Sequence, residues 1–153
     1  MLNITILAIG KVKEKHFQTP IDEYLKRLKP YARINMVELA AESFSESNRE
    51  KAKKREGEKI LNYLNKHIGQ IYLLEERGDE FSSPEFAEFL DKKSELLIFV
   101  IGGALGLSEE VRGKANKVIS LSAMTFPHEM ARMILCEQLY RAVSITKGKN
   151  YHY

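Results

Sequence analysis

The chain has 153 residues, with 24 Lys and Arg against 21 Asp and Glu, 44% hydrophobic residues, one Cys and no Trp. That is one domain of ordinary globular composition, which excludes a disordered, collagenous or disulfide-framed protein. Its longest uncharged apolar stretch, Leu96 to Ser108, is broken by three glycines and is shorter than the ~20 residues a membrane span needs, so no membrane partner is expected.

Short β-type runs alternate with longer amphipathic ones, which predicts an α/β fold built on a mostly parallel sheet with helices on both faces. The first strand is Asn3 to Ile9; it lacks the basic flank and cleavage site of a signal peptide. After Gly10 comes a basic loop (Lys11, Lys13, Lys15), then a helix from His16 to Leu28 that tolerates Pro20 only in its first turn. Arg33 to Leu39 reads as the second strand. In the polar stretch Glu42 to Lys59, Lys51, Lys53, Lys54 and Arg55 alternate with Glu46, Glu50, Glu56 and Glu58, the pattern of a solvated helix face. Gln70 to Leu74 is the third strand and Ser83 to Leu90 the next helix, with Pro84 in its first turn. Leu96 to Ile101 is apolar throughout, as suits a central strand buried on both faces. Val118 to Leu121 is the fifth strand and Pro127 to Val143 the last helix. No linker or repeat divides residues 1–153, so a single domain is expected.

Residues 1–140 hold 21 basic and 21 acidic side chains. The net charge of +3 therefore comes from Arg141, Lys147 and Lys149 at the end of the chain, a location that suits a polyanionic partner. The last helix carries apolar or small residues on more than one face, which predicts a second cover, and another subunit in a homodimer is the expected one, ahead of another element of the same chain. Cys136 is the only cysteine, and a reducing cytoplasm is the expected compartment.

Open parallel sheets bind ligands beyond the carboxyl ends of their strands. Three segments fall there: Leu74–Gly78, Gly102–Ser108, and Leu121–His128. Glycines in the second let backbone approach a ligand, with Ser108 capping the helix that follows. It is neither a G-x-G-x-x-G nor a P-loop motif. The third mixes backbone donors with Met124 and Phe126, which suits a flat heterocycle. Metal ligation is not expected, since the four histidines are scattered and one cysteine builds no thiolate site. Ser122 lacks a G-x-S-x-G elbow, which argues against a hydrolase.

The run Ile101-Gly102-Gly103-Ala104-Leu105-Gly106-Leu107-Ser108, the segment Leu121 to His128, the stretch Leu139-Tyr140-Arg141-Ala142, the ending Tyr151-His152 and the start Leu7-Ala8-Ile9-Gly10-Lys11 together resemble the RlmH family of SPOUT-class methyltransferases. The resemblance covers the whole chain. It implies a C-terminal trefoil knot, a homodimer, and S-adenosylmethionine, without a metal, as methyl donor to N3 of a pseudouridine in 23S ribosomal RNA, on the assembled ribosome. Carried over position by position, the cofactor residues are Leu74, Gly102, Leu121, Ser122, Ala123, Met124, Thr125 and Phe126. Candidates for handling the N3 proton and the developing charge are His128, Arg132, Arg141, Tyr151 and His152, the tail reaching the partner subunit's pocket. Arg132, one turn into an apolar helix, needs either a carboxylate at the dimer contact or the RNA. The alternatives are a nucleotide-binding domain without catalysis and a cofactor-free RNA-binding factor.

Overall fold

The computed structural model describes residues 1–153. Five parallel strands form one sheet: β1 (Leu2–Ile9), β2 (Ala32–Leu39), β3 (Gln70–Glu80), β4 (Leu97–Ile101) and β5 (Lys117–Ser120), in the order β2-β1-β4-β3-β5. The helices are α1 (Lys15–Leu28), α2 (Arg49–Lys66), α3 (Ser83–Asp91), α4 (Glu109–Arg112) and α5 (His128–Thr146), with a short 3-10 turn at Glu46–Asn48. The α/β architecture with helices on both faces is thus as the sequence predicts.

Alternation along the two most buried strands builds two cores. Ile4, Ile6 and Ala8 of β1 with Leu97, Phe99 and Ile101 of β4 meet α1, α3 and α5 on one face. Leu7 and Ile9 with Ile98 and Val100 meet Ile60 and Leu64 of α2 and Val111 of α4 on the other. Strands sandwiched this way are apolar at every position, which is why β4 is legible as a central strand. No helix is long and apolar enough to cross a membrane.

Three sequence expectations are corrected. β3 does not end at Leu74; it continues to Glu80, with its register against β5 shifting between Leu74 and Asp79. Gly78 permits this bulge, because a Cβ there would lie 2.7 Å from backbone atoms of Val118 and Ile119. Pro20 lies in the second turn of α1 rather than the first, on a helix starting at Lys15. Glu56 is not on a solvated face: it is 3% exposed, because the inner side of α2 turns toward the end of β2 and the loop after β4.

α5 lies between α1 and α3 and buries Leu135, Cys136, Leu139, Ala142 and Val143 within its own chain. Much of its apolar surface is therefore covered without a partner. A row of half-buried residues remains along it, Met130, Ile134 and Gln138.

Candidate active site

Beyond the carboxyl ends of β4 and β5, and beside the middle of β3 where its register shifts, opens a cleft of about 510 Å³, within the ~300–1,000 Å³ range of small-molecule sites. All three predicted segments line it. Leu74, Glu75 and Glu76 come from β3, Ile101 to Leu107 from the loop after β4, and Leu121, Ser122, Met124 to His128 and Ala131 from the chain around the start of α5; Arg112 closes one side.

Local sequence shapes each wall. Gly106 adopts φ +78°, a left-handed conformation that favours glycine, and its N–H donates to Gly103 O at 3.1 Å. Ser108 caps α4, its Oγ accepting from Val111 N at 3.4 Å. In the third segment Met124 N donates to Ser122 Oγ at 3.0 Å. The Ala123, Thr125 and Phe126 N–H groups donate to no other group of the chain, so they are free to meet a ligand. Met124 is 77% exposed at the rim. Across the cleft Arg112 donates Nε and Nη2 to Glu75 at 2.8 and 3.1 Å, a bidentate pair tying β3 to α4.

The predicted catalytic residues separate into three groups. His128 lines the cleft. Arg132 is 2% exposed and is held inside its own chain, Nη1 on Glu38 at 2.5 Å and Nη2 on Gly10 O at 3.0 Å. That overturns both sequence readings of Arg132, an intersubunit partner and an RNA contact: the carboxylate it needs comes from β2. Arg141, Tyr151 and His152 form a cluster at the other end of α5, a 19-residue helix about 28 Å long at α-helical rise.

That cluster is organised by Glu137, which sequence reasoning missed. Its Oε1 accepts Arg141 Nε at 2.9 Å, Arg141 Nη2 at 2.5 Å and Tyr151 Oη at 3.1 Å. With its proton given to Glu137, Tyr151 Oη accepts from Tyr24 Oη at 3.2 Å. Burial, reinforced by the Tyr24 hydrogen bond and the Glu137 charge, pushes the Tyr151 phenol well above its usual range. Arg141 Nη1 lies 3.1 Å from His152 Nδ1; a guanidinium only donates, so Nδ1 accepts and the neutral ring carries its proton on Nε2. The i,i+4 spacing of Glu137 and Arg141 was the available signal for this network.

Glu129 and Glu38 were also missed. Glu129 Oε1 accepts from Lys13 N at 2.8 Å and Glu14 N at 3.1 Å, and Arg132 holds Gly10. The basic loop after β1 is thereby pinned to the start of α5, beside the cleft. Among His, Cys, Asp and Glu no group of three is placed to hold a metal ion.

The cleft is walled by Leu74–Glu76 of β3 and by the segments after β4 and β5, and comparison with known proteins places the chain in a family. A family model described as predicted SPOUT methyltransferase matches residues 2–152, and the chain belongs to that family. Among its full-length relatives are proteins named ribosomal RNA large subunit methyltransferase H. That of Carboxydothermus hydrogenoformans is 43% identical over 159 residues, covering 99% of both chains; that of Kosmotoga olearia is 43% identical over 156 residues, covering 99% of this chain and 100% of the relative. Among solved structures, a methylase-family protein of Haemophilus influenzae Rd KW20 aligns with a TM-score of 0.58 at 12% identity, covering 99% of this chain and 70% of that one. A Legionella pneumophila methyltransferase solved with bound SAM aligns at 0.52 and 12% identity, covering 93% and 66%. At these identities the two structures show a shared fold.

Proposed function

We propose that the protein transfers a methyl group from S-adenosylmethionine to N3 of a pseudouridine in large-subunit ribosomal RNA, acting on the assembled ribosome as a homodimer. The observation that carries this reading is the convergence of Leu74, the Gly102–Leu107 loop and the Leu121–Phe126 segment on one cleft, in a chain 43% identical end to end to a protein named ribosomal RNA large subunit methyltransferase H.

The residues present fit the cofactor. The glycine loop lies tight against the sheet: a Cβ on Gly102 would sit 3.1 Å from Leu107, and one on Gly103 3.0 Å from Ile9, so side chains there would force the wall away. Leu74, Leu105, Leu107 and Leu121 offer apolar walls to a purine, while the N–H groups of Thr125 and Phe126 offer directional donors; Ala123 stands outside the lining of the cleft. Glu76 places negative charge on the cleft wall, favourable to a sulfonium, whereas the charge of Glu75 is matched by Arg112. When bound, that sulfonium supplies the electrophilic methyl carbon.

The chain's own residues then have separate tasks. The cleft must hold N3 at near-attack distance, and His128 on its wall accepts the N3 proton. His152, whose Nδ1 faces Arg141, presents an Nε2–H donor to the negative charge that develops on the imide. Tyr151 stays a phenol, and with Arg141 it positions His152 rather than moving a proton. His128 and His152 stand at opposite ends of α5, so one subunit's tail serves the other's cleft across a contact including Met130, Ile134 and Gln138. In this reading the C-terminal segment is also knotted, residues 121–127 lying against the 102–107 loop before α5 returns under the sheet. Lys11, Lys13, Lys147 and Lys149 meet RNA phosphates, giving strong salt dependence, while Arg141 is held by Glu137 and His152.

The test is incubation with methyl-labelled S-adenosylmethionine and ribosomes lacking the modification, followed by mapping of the labelled nucleotide. Label on a pseudouridine N3 of the large subunit is expected. Label elsewhere, or none despite cofactor binding, would overturn the assignment.

A further inference from the structure

Behind the cleft, α2 presents two consecutive residues to the two ends of the loop that forms its wall. Gly57 packs on Ser108: a Cβ at 57 would lie 2.5 Å from Ser108 Oγ and 3.2 Å from Ser108 Cβ. Glu56, on the preceding position, faces Gly103: its Oε1 is 3.9 Å from where a Gly103 Cβ would be. The carboxyl group is buried, and its two oxygens are used unequally. Oε2 accepts from Glu42 N at 2.9 Å, whereas Oε1 has no partner in the chain.

A buried polar atom without a partner is costly, and a charge is costlier still. The unpartnered oxygen faces Gly103, at the start of the cofactor loop. We propose that Glu56 is a positioning residue of the methyltransferase cleft: with Gly57 it fixes both ends of the 102–108 loop against α2, and so sets the affinity for the adenosyl cofactor without touching it. This inference rests on the function proposed above.

Three charged or titratable groups act on Glu56. Glu42 supplies the N–H and a like charge from the segment after β2. Lys59, on the next turn of α2, holds Glu42 through a 3.1 Å ion pair and caps Ala40 O at 2.8 Å. His128 acts from the start of α5, its positive form favouring the carboxylate. Burial outweighs these attractions and pushes the Glu56 carboxyl above its ordinary range. The protonated acid leaves no charge buried at Oε1 while Oε2 keeps Glu42 N, and glutamine reproduces that neutrality with an amide.

The experiment uses the full chain. S-adenosylmethionine affinity is measured by calorimetry from pH 6 to pH 9, and KM for ribosomes is measured separately, for wild type, Glu56→Gln and Glu56→Ala. Glu56→Ala is expected to weaken cofactor binding about tenfold, because it empties the space packed behind Gly103 and removes the tie to Glu42 N, while KM for ribosomes changes less than about twofold. Glu56→Gln is expected to bind within about threefold of wild type at pH 6 and to show a flatter pH profile, as a neutral isostere should. Should Glu56→Ala fail to fold, Gly57→Ala, which drives Ser108 Oγ off Val111 N at the loop's far end, is expected to weaken the cofactor while sparing ribosome KM. Cofactor binding unchanged in Glu56→Ala, or in Gly57→Ala where that variant replaces it, would overturn the proposal; so would Glu56→Gln as impaired as alanine. If wild type itself binds no S-adenosylmethionine, the underlying function falls instead.

Discussion

The hydroxyl of Tyr151 donates to Oε1 of Glu137 at 3.1 Å, the same oxygen that takes both Nε and Nη2 of Arg141. One carboxylate oxygen on α5 therefore holds the C-terminal tail and, through Arg141, orients His152. Glu137→Gln weakens the charge-assisted bonds on that oxygen without removing the side chain. Methyl transfer is expected to fall about tenfold or more, the size of effect seen when a positioning contact is lost. Cofactor affinity should stay within about twofold, because Glu137 does not line the cleft. Kinetics beside calorimetry check this; equal losses in both would mean that Glu137 serves the fold rather than the tail.

Arg132 and Glu38 are unequal partners. Arg132 is 2% exposed and Glu38 is 31% exposed by side chain. Removing the acid strands a buried guanidinium that retains only Gly10 O; removing the base leaves a carboxylate that water reaches. Glu38→Gln is thus expected to cost up to about 3–5 kcal/mol, the range for breaking a buried pair from one side. Arg132→Met, which keeps the packing volume of the stem, should cost clearly less. Urea unfolding of both variants decides it, and the reverse order would show that packing of Arg132 outweighs its charge.

The arrangement of strands was legible because β1 and β4 are buried on both faces and carry their periodicity openly. The far half of β3 was not, since Glu75, Glu76 and Arg77 are polar and Gly78 reads as a breaker; it is instead where β3 and β5 approach too closely for a side chain. The cleft's backbone was legible from Gly102, Gly103, Gly106, Ser108 and Pro127, whose conformational roles are local. The ties that hold it are not local. Arg132 meets Glu38 across 94 positions and Glu129 meets Lys13 across 116, and no periodicity encodes such pairings. Glu56 was misread because it sits in a run of alternating charge; the glycine beside it, inside a helix, was the one cue to close packing.

Glu56 also makes a stability prediction. Burial raises its folded pKa above the unfolded value, so the native state holds its proton to higher pH than the unfolded chain does. The stability that the proton confers is complete below the unfolded carboxylate pKa, ~4.3, and is lost as pH rises through the folded value. The Glu56→Gln variant does not titrate there, so its denaturation midpoint relative to wild type should increase from pH 4 to pH 8. A constant difference would show that Glu56 ionises in the fold as it does in the unfolded chain.

Cys136 is fully buried on α5, where burial pushes its thiol up to about 12. Thiolate, not thiol, is the nucleophile. An aromatic disulfide reagent at pH 8 should leave the native protein unmodified and titrate one thiol in denaturant. Rapid native labelling would mean that α5 opens away from α1 and α3 far more often than its packing implies.

The tail offers the sharpest separation of roles. Residues 147–153 carry Lys147 and Lys149, which pairs with Tyr31, together with Tyr151 and His152 on the Glu137–Arg141 network. None of these lines the cleft. Deleting the segment should abolish methyl transfer, lower the salt dependence of ribosome binding by about two charges' worth, and leave S-adenosylmethionine affinity within about twofold. Mixing the deletion variant with a cleft-defective full-length chain, such as His128→Ala, tests the crossed arrangement: in heterodimers one site combines an intact cleft with an intact tail from the other subunit. Recovery of activity toward the half-occupancy level is expected on mixing and refolding, and no recovery would place tail and cleft in the same subunit's service.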